Sequence, residues 1–95
     1  MKITREQPPM WAEPILMARH KSCEVHLAYF PKLKELNIQF IWSKNEGKGE
    51  ASETIRRLIK YCDKKGWKLV SSIPINSAWE HLCQKFNLKV YRKDS

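Results

Sequence analysis

One stretch constrains this chain more than any other. Between Gly49 and Gly66 the apolar residues Ala51, Ile55, Leu58, Ile59 and Cys62 recur at i, i+4, i+7, i+8 and i+11, the repeat of a helix that buries a single face. Glu53, Arg56, Arg57, Lys60, Asp63 and Lys64 fall on the opposite side. Glu50 and Glu53 stand in the first turn and Lys64 and Lys65 in the last, so each charge complements the helix dipole. Gly66 offers a left-handed stop. The spacing predicts a helix over Glu50–Lys65, and a helix with one apolar face needs a second layer to cover it.

The flanks read as that layer. Residues 36–42 alternate, which places Leu36, Ile38, Phe40 and Trp42 on one face and Asn37 and Gln39 on the other. Residues 24–30 are rich in β-formers and stop at Pro31. A short polar link joins the two, so they are expected to pair antiparallel. After the helix, residues 67–73 read as a strand ended by Pro74, and a strand–helix–strand crossover makes it parallel to 36–42. Ser77 and Glu80 have the form of a capping box. They open a second helix over 78–86 with Ala78, Leu82, Cys83 and Phe86 at helical spacing, and 88–91 read as a last strand.

The order strand, strand, helix, strand, helix, strand predicts an α+β fold, a mixed β-sheet with packed helices, with residues 1–95 forming a single domain. Pro8, Pro9 and Pro14 deny residues 1–14 a regular helix or ladder, so this segment is expected to be extended and unpaired. Residues 15–21 suit a strand or a helical turn equally well.

Composition narrows the partners. Eighteen Lys and Arg against ten Asp and Glu leave a net charge of +8 on 95 residues, which favours nucleic acid, a phosphorylated cofactor or an acidic protein surface. No apolar run approaches the roughly 20 residues of a membrane span. The first residues lack the apolar core of a signal peptide, so a cytoplasmic location is expected. Cys23, Cys62 and Cys83 are too far apart for a metal knuckle or a disulfide framework, and read as small buried apolar side chains.

Chemistry is most visible at Glu46-Gly47-Lys48-Gly49-Glu50-Ala51. The segment follows a strand and opens a helix, a setting in which bare backbone N–H groups face an anion. Lys48 adds a mobile positive charge. The loop is neither a P-loop nor a dinucleotide fingerprint, because the Lys-Ser/Thr pair and the third glycine are absent.

Taken with Asn76 ahead of the second helix, this arrangement over about residues 24–91 resembles the GNAT superfamily of N-acetyltransferases. The family's pyrophosphate loop, Gln/Arg-x-x-Gly-x-Gly/Ala, is matched at Gly49 and Ala51. Its later segment, Asn-x-x-Ala-x-x-x-Tyr-x-Lys-x-Gly-Phe, is matched at Asn76 and Lys85. Glu46 stands where the family has Gln or Arg, Glu50 adds a second carboxylate, and Cys83 takes the place of the tyrosine. The family's front strand and two helices have little room in residues 1–23. The chain looks like a trimmed version, a form frequent among phage-encoded proteins.

The resemblance implies that an amine, on a protein lysine, an N-terminus or a small molecule, attacks the carbonyl of acetyl-CoA. The protein would orient the pair and stabilise the oxyanion. It implies an oxyanion donor among the backbone N–H groups of Phe40, Ile41 and Trp42. The diphosphate would rest on Gly47, Lys48, Gly49, Glu50 and Ala51, and Asn76 would meet the pantetheine arm or cap its helix. For proton transfer the candidates are His26 in mid-strand, Cys83 at the tyrosine position and Tyr91 on the last strand. Glu24 could bind an amine, and Trp42 or Trp79 could line an acceptor slot. His81 reads as a solvated residue on the wet side of its helix. The alternative reading is a non-catalytic GNAT-like basic module that binds nucleic acid or a protein partner.

Overall fold

The computed structural model describes residues 2–6, 15–45 and 49–91. The elements in chain order are β1 (Lys2–Glu6), β2 (Ile15–His20), β3 (Cys23–Phe30), β4 (Glu35–Ser43), α1 (Glu50–Lys65), β5 (Lys68–Ser72), α2 (Ser77–Lys85) and β6 (Lys89–Tyr91). The six strands form one sheet in sequence order. β1 to β4 pair antiparallel, and β4–β5 and β5–β6 pair parallel. This is the expected α+β class with a mixed sheet. Both crossovers step across the sheet in the same direction, so right-handed connections put α1 and α2 on one face.

That face holds the core. Val25 and Leu27 of β3 and Leu36, Ile38 and Ile41 of β4 lie under Ile55, Leu58 and Cys62 of α1 and Trp79, Leu82 and Cys83 of α2. The three cysteines are free and buried. Gly66 ends α1 at φ 73, its N–H donating to the Asp63 carbonyl, and Asn87 takes φ 52 after α2. Among the described residues no helix is long and apolar enough to cross a membrane.

Three expectations are corrected. The N-terminal segment is not unpaired throughout: Lys2–Glu6 form a full ladder with β2. The first proline falls after that strand, and Pro8, Pro9 and Pro14 lie outside the described residues. The same ladder, with β3 on the other side, decides that Ile15–His20 is a strand. The capping box is replaced by Asn76, whose side chain accepts from the Trp79 N–H at 2.8 Å, so α2 begins at Ser77, one residue earlier.

The third correction concerns β4. His26 faces Phe40 and the next residue, Leu27, faces Ile38, so Gln39 is the extra residue of a β-bulge. A single extra residue exchanges inward and outward positions downstream. Ile41 therefore turns into the core, while Phe40 and Trp42, expected beside Leu36 and Ile38, turn to the face without helices.

Candidate functional site

The bulge also marks where β4 leaves β5. Their ladder runs from Glu35–Lys68 to Ile38–Ser71 and stops, yet β4 continues beside β3 as far as Ser43. Past Ile38 the edge of β4 that faced β5 has no strand partner among the described residues. A cleft of about 450 Å³ opens at this divergence, within the range of small-molecule sites.

Three elements line it. β4 contributes Phe40, Ile41, Trp42 and Ser43, α1 contributes its first residues after Gly49, and α2 contributes Ala78, Trp79, His81, Leu82 and Lys85. Gly49 sits at φ 79, a left-handed conformation that glycine adopts without cost. Among the described residues no side chain caps this end of α1. The first-turn N–H groups at Glu50, Ala51 and Ser52 meet no side-chain acceptor among those residues, and the positive end of the helix dipole lies beside the cleft.

The two first-turn carboxylates are both engaged by the β2–β3 turn. The Ser22 hydroxyl donates to Glu50, while Ser22 Oγ accepts the Asn45 N–H at 3.3 Å and lies 3.5 Å from Ser43 Oγ. Glu53 meets His20 Nε2 at 3.2 Å, Arg57 at 3.3 Å and Lys21 at 3.5 Å. The His20 contact, followed by Arg57 and Lys21, holds the Glu53 carboxyl below the usual glutamate range, with partial desolvation opposing the shift. Both carboxylates thus tie the β2–β3 turn to the start of α1.

Of the residues singled out from the sequence, the fold gathers Phe40, Ile41, Trp42, Gly49, Glu50, Ala51 and Asn76 around the cleft. Gly47 and Lys48, with Glu46, lie outside the described residues. Asn76 borders the cleft while its side chain caps α2.

The proton-transfer candidates fare differently. Cys83 is 4% exposed within the core cluster and does not line the cleft. Its helical phase, shared with Trp79 and Leu82, turns it onto the sheet. Tyr91 donates its hydroxyl to the Glu35 carboxylate at the opposite end of β4. His26 stands on the helix-free face, edge-on to Phe40 with ring centroids 5.5 Å apart.

Sequence reasoning missed His81 and Lys85 as lining residues, although a signal was present. Ala78, His81, Leu82 and Lys85 recur at i, i+3, i+4 and i+7, one continuous helical face, and this is the face α2 turns to the cleft. His81 is exposed, as expected, and Lys85 Nζ reaches across to Ser52 Oγ of α1 at 3.2 Å.

The Tyr91 contact has a consequence in alkali. Its hydrogen bond to Glu35, then burial and the nearby carboxylate charge, raise the Tyr91 pKa above the ordinary tyrosine value. A raised pKa means that this stabilisation is fully present below about pH 10 and is lost as pH rises through the folded-state value. Urea midpoints measured between about pH 9 and about pH 11 should therefore fall more for the natural chain than for Tyr91→Phe. Equal slopes would show that the bond contributes nothing.

Comparison of the chain with protein-family models, with curated proteins and with solved structures returned no match.

Proposed function

We propose that the cleft binds acetyl-CoA and that the chain transfers its acetyl group to an amine. One observation carries this reading: an open strand edge and an uncapped helix N-terminus meet at the same cleft. A thioester with a diphosphate behind it needs both, the first for its carbonyl oxygen and the second for its negative charge. Backbone N–H groups of Phe40, Ile41 and Trp42 are the donors for the oxyanion. Gly49, Glu50 and Ala51 receive the diphosphate, with Gly47 and Lys48 ahead of them in the loop, and Lys85 adds positive charge to the wall.

The reaction balances simply. The ammonium gives a proton to a base, and its nitrogen lone pair attacks the carbonyl carbon. The C–S bond then breaks, and the CoA thiolate leaves with the electron pair and takes a proton. Ammonium and acetyl-CoA become an amide, CoA thiol and one released proton. With Cys83 buried and Tyr91 engaged by Glu35, water protonates the thiolate.

General acid help is worth about 10²–10⁴-fold where a side chain supplies it. Cys83→Ala should accordingly lose less than about tenfold in acetyl transfer. A hundredfold loss in a variant that folds and binds acetyl-CoA would make Cys83 the acid. The reading itself is tested by titrating acetyl-CoA against thermal unfolding, since a ligand of the native state raises the midpoint with concentration. No shift at millimolar ligand, with no heat in calorimetry, would remove it.

The withdrawal of both Cys83 and Tyr91 from the cleft favours a second reading, a non-catalytic domain that binds nucleic acid through its net charge of +8. Affinity for DNA or RNA falling linearly in log salt, without acetyl transfer, would select it.

A further inference from the structure

We infer that the helix-free face of the sheet binds a single strand of nucleic acid, its bases stacked on Phe40, Trp42 and Phe30 and its phosphates held by Lys44, Lys68 and Lys89. The inference goes beyond the acetyl-CoA cleft. It rests on the second reading for an anionic partner, and adds which surface binds and which form of nucleic acid it takes.

Three rings stand on that face. The bulge at Gln39 turns Phe40 and Trp42 outward. Phe30 is in register with Glu35 at the other end of β4 and alternates with Tyr29, which packs on the core. The three rings are 36%, 49% and 38% exposed, and large apolar groups gathered on one open face mark a place of contact. Phe40 and Trp42 lie two residues apart on one strand, about 7 Å, so each of two bases in an extended strand meets its own ring. Stacking of this kind is independent of sequence, because every base has a π-face.

Cations flank the rings. Lys44 follows Trp42 in the same two-residue phase, since its N–H carries the ladder on to the Ser22 carbonyl. Lys68 is in register with Glu35 and Lys89 with Val70, both on this face. All three lysines are exposed, and among the described residues none has a carboxylate partner. The face's own described carboxylates are already engaged, Glu24 by Arg19 at 3.1 Å and Glu35 by the Tyr91 hydroxyl. Unpaired lysines beside exposed rings suit phosphates beside bases; a purely apolar partner would leave the lysines without a counter-charge.

The same geometry selects the single strand. A duplex keeps its base faces inside its own stack, and this face has no helix to enter a groove. The rings therefore gain nothing from a duplex. The groups engaged are base faces and phosphates, so the sugar is not read.

The test follows the fluorescence anisotropy of a labelled twelve-nucleotide oligodeoxythymidylate. It is compared with its duplex on oligodeoxyadenylate and with an abasic strand carrying the same phosphates. The thymidylate strand should bind at least about fivefold more tightly than either. Trp42→Ala and Phe30→Ala should each weaken it at least about fivefold, while Trp42→Phe keeps most of the affinity. Lys44→Gln should flatten the slope of log affinity against log salt by about 0.7. Duplex or abasic strand bound as tightly as the thymidylate, natural affinity in either alanine variant, or an unchanged slope in Lys44→Gln would each overturn this site. Binding retained in those cases leaves the nucleic-acid reading standing on another surface; no saturable binding of any probe defeats both.

Discussion

Leu58→Ala should lower the free energy of unfolding by about 2–5 kcal/mol. Leu58 has no exposed surface and sits in the core cluster between α1 and the sheet. The loss combines the transfer term of the deleted methyl groups with the cavity they leave. Domains of this size hold about 5–15 kcal/mol in total, so the melting midpoint should drop by at least about 8 °C. Lys60→Ala, on the exposed side of the same helix, should stay within about 0.5 kcal/mol. A midpoint unchanged in Leu58→Ala would mean that the face is misassigned and the sheet is covered by something else.

Gly49→Val should abolish most acetyl-CoA binding while leaving the chain folded, with affinity falling at least about tenfold. Apart from its chain neighbours, a Cβ built at Gly49 meets no atom of the described residues within 4 Å. Two costs remain. A β-branched residue at φ 79 is strained by about 1–2 kcal/mol, and its methyl groups occupy the approach to the first-turn N–H groups. Gly66→Ala separates the two effects, because Gly66 has φ 73 and equally open surroundings at the far end of α1. It should lose stability by strain and bind acetyl-CoA as the natural chain does. Full affinity in Gly49→Val would place any anion site away from this helix end.

The contrast between α1 and β4 explains what was legible. For α1, periodicity, first-turn acids, last-turn bases and Gly66 all indicate the same boundaries, and the helix runs from Glu50 to Lys65. Each signal is local, acting within a few residues along the chain. For β4 the alternation is equally plain in sequence, yet it misplaces Phe40 and Trp42. Which residue bulges depends on the register with β3, and that is a property of two strands rather than one. The ladder of Lys2–Glu6 with β2 was hidden for the same reason.

The site divides along the same line. The glycine-led start of α1 beside the cleft follows from Gly49 and the strand-to-helix order, which any chain with this local sequence would share. The inert placement of Cys83 and the capture of Tyr91 by Glu35 arise from how α2 and β6 dock on the sheet. His81 and Lys85 reach the cleft only because the face of α2 that carries them turns to the gap between β4 and β5. Sequence alone determined the helix faces, the parallel crossover and the glycine that opens α1, since these depend on side-chain period and backbone freedom over short stretches. The tertiary structure decided the bulge, the cleft and the membership of its walls, because long-range pairing selects among registers and docking angles that local energies leave nearly equal.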